Sequence, residues 1–149
     1  MATNEKIKPT ITDLLSLDMP SLFRMSPSGD KIAYGMRQAN WNKNFYETII
    51  YIYYTKNKKT VQLSRSGIAS DIHWINNESL AAMIKFDGEK SSSQIYLFEN
   101  LIGEPLKITE HKNGIQSFRP FANGFLYKAN DPKRNEKKKR KDEFGTILH

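Results

Sequence analysis

The 149-residue sequence has no cysteine. That excludes a disulfide framework and any thiolate metal site. It also lacks a long apolar run: nothing approaches the ~20 consecutive apolar residues that a membrane-crossing helix needs. The segment from Met1 to Pro9 is polar, with Asn4, Glu5, Lys6 and Lys8, and has no apolar stretch of the kind a secretory signal carries. A cytoplasmic chain with no membrane partner is therefore expected. Glycines are few and dispersed singly (Gly29, Gly35, Gly67, Gly88, Gly103, Gly114, Gly124, Gly145), so no glycine-rich phosphate loop is present.

The usual catalytic patterns are missing too. A serine hydrolase of the α/β type needs Gly-x-Ser-x-Gly, because small neighbours permit the strained turn that exposes the nucleophile. Ser66-Gly67 and Ser28-Gly29 lack the flanking glycine. His73, His111 and His149 have no metal-ligand spacing to one another, and there is no His-Glu-x-x-His or EF-hand loop. His73, beside Trp74, reads as a strand histidine that packs or hydrogen-bonds, and His111 as a solvated turn residue. Asp30, Asp71 and Asp87 fall at turns or strand starts, where turn and capping bonds are the expected role. Ser91-Ser92-Ser93 reads as a connector. The sequence thus leads us to expect no catalytic residue, no cofactor and no metal in this chain.

What is present is aromatic and periodic. Aromatics make up 11% of the chain, chiefly Tyr and Phe, which favours packed strands. One unit begins at Leu22-Phe23-Arg24-Met25, turns through Ser26-Pro27-Ser28-Gly29-Asp30 and continues from Lys31 to Met36. A second begins at Asp71-Ile72-His73-Trp74, turns through Asn76-Asn77-Glu78 and continues from Ser79 to Ile84. A third begins at Ser117-Phe118-Arg119-Pro120, turns near Asn123-Gly124 and continues from Phe125 to Ala129. Ile32 to Leu80 is 48 residues, and Leu80 to Phe125 is 45.

The second halves repeat as well. Ile52-Tyr53-Tyr54-Thr55, a turn at Asn57-Lys58-Lys59 and Thr60 to Leu63 correspond to Ile95-Tyr96-Leu97-Phe98, a turn near Gly103 and Pro105 to Thr109. Ile52 to Ile95 is 43 residues. Four short strands per repeat of this length predict the blade of a β-propeller. Pro27 presets φ in the first turn, Gly29 supplies a positive φ, and Asn123-Gly124 is expected to do similar work. Ile49 to Tyr54 is apolar on both faces, as a strand covered on both sides should be. The aromatic positions Tyr51, Tyr53, Tyr54, Tyr96 and Phe98 are expected to pack in the core and between blades.

The predicted fold is all-β: an incomplete propeller of about two and a half four-stranded antiparallel blades. The expected division is an extension over 1–20, blade one over about 21–64, blade two over about 68–110 and an incomplete blade three over about 115–149. Thr12 to Leu17 reads as a short helical turn capped by Thr10 or Thr12. Phe144 to His149 reads as the opening of a further strand.

The net charge of +7 is local. The tract Lys133 to Lys141 holds seven basic residues against Glu136, so the rest of the chain carries about +1. The tract lies in a charged insertion over 131–143 and lacks interleaved aromatics for base stacking. It reads as a solvated loop, so a nucleic-acid partner is not expected, with phosphate binding or a nuclear-import address as the sharper alternatives.

The run Ile11 to Tyr34, with Asp13-Leu14-Leu15 followed by Ser26-Pro27-Ser28-Gly29-Asp30-Lys31-Ile32-Ala33-Tyr34, resembles the start of the propeller in the prolyl oligopeptidase family of serine peptidases. Within that family it looks most like the acylaminoacyl-peptidase and dipeptidyl-aminopeptidase type. Ser28 stands where that family usually has Asp, and Ile75-Asn76-Asn77-Glu78 replaces its Ser-Pro-Asp-Gly turn in the second unit. The charged segment after Asp131-Pro132 is also similar. The resemblance implies a parent whose propeller caps a hydrolase domain and limits access to small peptides, with a Ser-Asp-His triad beyond residue 149. This chain would then be scaffold and gating surface, meeting peptide substrates only within that parent. The same turn pattern occurs in TolB-like and other propellers, so a TolB-like or WD40-like protein-interaction module is the alternative, and a truncated product without independent function a third. Open strand edges in an unclosed ring would favour self-association.

Overall fold

A computed structural model describes residues 6–86 and 91–131. The described residues are almost entirely strand and turn, with one short helix and no closed barrel. The all-β expectation is met. No helix among them is long and apolar enough to cross a membrane. The basic tract Lys133 to Lys141, Asp87 and the strand opening expected at Phe144 lie outside the described residues.

The chain enters through α1 (Ile11–Leu15), capped by Thr10. Thr10 and Asp13 bond each other's backbone N–H groups reciprocally, so two helix-end donors are satisfied locally. No residue of α1 is buried.

Two antiparallel quartets follow. The first is β1 (Met19–Met25), β2 (Lys31–Asn40), β3 (Phe45–Tyr54) and β4 (Lys59–Gln62), each pairing with the next. The second is β5 (Ile68–Trp74), β6 (Leu80–Lys85), β7 (Gln94–Phe98) and β8 (Leu106–Lys107), paired likewise. A single parallel bridge, Thr48 with Ile68, links the two quartets into one eight-stranded sheet by connectivity. A separate hairpin, β9 (Ile115–Phe121) and β10 (Gly124–Ala129), completes the described chain. The last strand of the second quartet is shorter than the expected run from Pro105 to Thr109, covering two residues.

The turns show why these residues form these hairpins. Ser26 is buried; its N–H donates to the Lys31 carbonyl, its carbonyl accepts from Gly29 N–H, and its hydroxyl accepts from Lys31 N–H. Gly29 takes φ +72°, as its place in the turn requires. The second unit closes differently: Asn76 Oδ1 accepts from Glu78 N–H at 2.8 Å, an Asx-type turn in place of Pro and Gly. Asn57 does the same for Lys59. In the third unit the expectation for Asn123-Gly124 needs correction. Gly124 pairs with Phe121, so the connection is Ala122-Asn123, and the positive φ of 48° falls on Ala122.

Two apolar cores result. One lies between the quartets: Ala33, Ile50, Ile52 and Leu63 from the first meet Ala69, Ile72, Leu80, Ala82, Ile84 and Phe98 from the second. The other lies between the second quartet and the β9–β10 hairpin, where Ala81, Met83 and Ile95 meet Ile115 and Phe118. Alternate residues of β6 therefore serve opposite cores, which is why Leu80 to Ile84 is buried without a break. Among the described residues, the first quartet has an apolar core cluster on one face, and on the other only Ile49 is buried. Its other face carries the stacked rings of Phe23, Tyr34 and Tyr51, with Phe23 more than half exposed. The aromatic positions divide accordingly: Phe98 is buried and Tyr54 and Tyr96 pack on the first core, whereas Tyr51 and Tyr53 are half-buried.

Candidate functional site

The first strands of the three units carry one polar cluster. The β1–β2 register slips between Ser21 and Arg24, with Leu22 at φ +57°, and the β5–β6 register slips between Ala69 and Asp71. A β-bulge re-aims the side chains that follow it. Here the residues that resume regular pairing are Arg24 and Asp71, and their side chains meet: Arg24 Nη2 lies 3.7 Å from Asp71 Oδ1. From the third unit, Arg119 Nη1 donates to Asp71 Oδ2 at 3.2 Å and reaches His73 Nε2 at 2.8 Å. A guanidinium can only donate, so His73 Nε2 accepts in that pairing. His73 Nε2 and Asp71 Oδ2 are 3.1 Å apart.

Several contacts hold these groups in place. Asp71 Oδ1 also accepts from the Ile72 N–H. The His73 ring stands edge-on to Phe118 at 4.9 Å between centroids. Each arginine is anchored to the carbonyl of the residue before it, Arg24 Nη1 to Phe23 at 2.9 Å and Arg119 Nη1 to Phe118 at 2.7 Å. Trp74 Nε1 donates to the Arg24 carbonyl at 2.9 Å, tying β5 to β1.

A second junction lies between the turns of the first two units. Ser28 N–H donates to Asn77 Oδ1 at 2.8 Å, and the Lys31 ammonium donates to Glu78 at 2.8 Å with Asp30 3.5 Å away. Lys31 is buried, and its hydrogen bond to Glu78 raises its pKa above the ordinary 10.5. Asp30 is held below the usual carboxylate range, first by the Ser28 hydroxyl, then by Ser26 and Lys31.

His73 is hydrogen-bonded on a strand, as expected. Asp30 forms turn bonds, as expected. Asp71, expected at a turn or strand start with capping or turn bonds, lies inside β5 and pairs with two arginines across strands, next to the register shift between Ala69 and Asp71. His111 is tied more firmly than a solvated turn residue. Its carbonyl accepts from the Gln94 amide at 2.7 Å, its N–H donates to Gln94 Oε1, and its Nδ1 accepts from Asn113 N–H. Among the described residues no hydrogen bond joins Ser66 or Ser28 to a histidine; Ser28 bonds Asp30 and Ser26. Among the described residues no group of three or more His, Asp or Glu could hold a metal ion.

Arg24 and Arg119 were not singled out from the sequence. The signal was there in the repeat: Phe23-Arg24, Ile72-His73 and Phe118-Arg119 place a basic or imidazole side chain at the same step of all three units.

The fold is similar to that of the AtxE2 isopeptidase in its apo form, with a TM-score of 0.71 and 13% sequence identity over 89% of this chain. The match covers 25% of the isopeptidase, so this chain spans about a quarter of that protein's length. At that identity the likeness is one of fold. No family model and no curated protein matches the sequence.

Proposed function

We propose that this chain is the opening part of a β-propeller belonging to a prolyl oligopeptidase-like serine peptidase, where it serves as scaffold and substrate-gating surface rather than as catalyst. The observation that carries the reading is the second quartet, a four-stranded antiparallel sheet apolar on both faces and sandwiched between its neighbours in sequence. Radial stacking of blades requires that arrangement. The peptidase part rests on the segment Asp13-Leu14-Leu15 leading to Ser26-Pro27-Ser28-Gly29-Asp30-Lys31-Ile32-Ala33-Tyr34. A structural neighbour that is itself an isopeptidase accords with it. On this reading β1, β5 and β9 are the innermost strands of successive blades, and the Arg24–Asp71–His73–Arg119 cluster faces the central passage.

The coding sequence after His149 tests the reading. A Gly-x-Ser-x-Gly segment between a strand and a helix is expected downstream; a stop codon directly after complete blades would favour an interaction module instead. Treatment of the chain itself with a fluorophosphonate probe should label no serine, and a labelled serine would overturn the non-catalytic assignment.

A further inference from the structure

The charges around Asp71 do not balance. Two guanidinium groups, Arg24 and Arg119, converge on one carboxylate, and the imidazole between them is held as an acceptor. The formal charges of Arg24, Arg119 and Asp71 alone sum to +1. Arg24 reaches Asp71 only as an ion pair at 3.7 Å, too far for a hydrogen bond, and its side chain is 44% exposed. Arg119 uses Nη1 for all three of its protein contacts (Asp71, His73 and the Phe118 carbonyl), and its side chain is 65% exposed. Both guanidinium groups have N–H donors that none of these contacts uses, on side chains that are partly open to solvent. Anchoring of each arginine to its preceding carbonyl fixes the guanidinium positions before any ligand arrives, which lowers the ordering cost of binding.

From this geometry we propose that the Arg24–Asp71–His73–Arg119 cluster is a binding site for the carboxylate of a peptide. A planar carboxylate matches the guanidinium fork in two parallel hydrogen bonds. A monoanion neutralises the site, whereas a dianion such as phosphate would overcharge it and meet repulsion from Asp71. The anion site is read from the cluster alone; that the carboxylate belongs to a peptide rests on the function proposed above. The carboxylate is supplied either by a free C-terminus or by an acidic side chain.

The chain carries its own reporter. Trp74 donates to the Arg24 carbonyl, and the second tryptophan, Trp41, is exposed in a distant turn. In a Trp41→Phe background, Trp74 fluorescence is titrated with four probes: N-acetyl-dialanine, N-acetyl-aspartyl-alaninamide, N-acetyl-dialaninamide and inorganic phosphate. Saturable binding of one or both carboxylate peptides is expected, and which of them binds assigns the source. Arg24→Lys and Arg119→Lys keep the charge and lose the fork. Each is expected to weaken binding about tenfold, the size of one charge-assisted hydrogen bond, with an unchanged thermal melt.

Equal binding of the fully amidated peptide, affinity unchanged in both lysine variants, or phosphate binding more tightly than the carboxylates would overturn the proposal. Propionate provides the separating control. If it binds as tightly as the peptides and needs both arginines, the anion site stands and the peptide assignment falls. If no carboxylate binds, the site falls while the reading of the parent protein is untouched.

Discussion

The second sheet and the first sheet have the same four-strand pairing but different surroundings. In the second, β6 is buried at five consecutive positions, Leu80 to Ile84, because cores press on both faces. In the first, β2 alternates from Lys31 to Met36: Lys31, Ala33 and Gly35 are buried toward the second sheet, and Ile32, Tyr34 and Met36 are half-buried on the other side. The same four-strand pairing thus gives a continuous apolar strand or an alternating one according to what lies next to it. A run of apolar residues reports the neighbours of a strand as much as the strand itself.

That contrast can be broken most directly by truncating one phenylalanine on each sheet. Phe98 in the second sheet is 1% exposed, while Phe23 on the open face of the first is 57% exposed. Phe98→Ala should cost about 3–5 kcal/mol of unfolding free energy, the transfer and cavity cost of a buried ring. Phe23→Ala should cost under about 1 kcal/mol, since its ring keeps one stacking partner, Tyr34, and much of its water. Urea denaturation of the two variants supplies the comparison, and equal losses would mean that the first sheet is covered on both faces in solution.

The seam between the sheets should come next in size. Gly67 sits at φ +99°, and an added Cβ would stand 2.8 Å from Ile84 Cγ2 and 3.0 Å from the Phe86 ring. Its carbonyl accepts from Thr48 N–H at 3.0 Å, beside the one parallel bridge. Gly67→Ala therefore combines a disfavoured backbone with overpacking and should cost roughly 2 kcal/mol or more. Ile84→Val, which removes the δ-methyl but keeps Cγ2, should add its own cost in full to that of Gly67→Ala; Ile84→Ala, costly by itself, should combine with Gly67→Ala to less than the sum of the two losses. Strict additivity in both double variants would place the strain wholly in the backbone.

The turn junction gives a pH-dependent test of the same seam. Lys31 has its pKa raised, chiefly by Glu78, so its contribution is complete below the ordinary value of 10.5 and is lost as pH rises through the higher folded value. Wild-type chain should lose stability above about pH 10.5 through this group, and Glu78→Gln should flatten that part of the profile. At neutral pH Glu78→Gln should cost about 1 kcal/mol, near the low end for a charged hydrogen bond because Glu78 is 61% exposed and Asp30 remains nearby. Thermal melts between pH 8 and 11 would show whether the two curves converge; parallel curves would remove Glu78 as the cause.

The sequence made the hairpins legible because local chemistry dictates them. Ser26-Pro27-Ser28-Gly29 closes its own turn, and the 43 to 48 residue spacing of Ile32, Leu80, Phe125, Ile52 and Ile95 marks the strands that repeat. Placement of the left-handed residue in the third turn was not legible, because Gly124 is the apparent choice and pairing register, a tertiary property, puts the turn one step earlier on Ala122. The cluster around Asp71 was half legible. Its arginines recur at one repeat step, but their convergence on Asp71 depends on two bulges, at Ser21–Arg24 and Ala69–Asp71, that no turn residue in the sequence announces. His73 is the hydrogen-bonding strand histidine that its neighbours suggest, while Asp71, whose type suggests a cap or turn bond at a strand start, pairs across strands instead.

The smallest effect belongs to the helix at the entrance. Thr10→Ala removes the cap hydroxyl that accepts from Asp13 N–H at 3.2 Å; the Thr10 backbone N–H, the main cause of the lowered Asp13 pKa, stays, and the lesser hydroxyl bond is lost. Loss of an N-cap costs a helix about 1 kcal/mol. Here α1 buries nothing, and a long bond of 3.2 Å from the Tyr46 hydroxyl to the Leu15 carbonyl is its tie to the sheet. An element without buried area cannot pass its stability to a core. Amide exchange over residues 11–15 should therefore quicken severalfold in Thr10→Ala while the global urea midpoint stays fixed; a midpoint that moved with the cap would show α1 packed against the first sheet, on a face that is otherwise open.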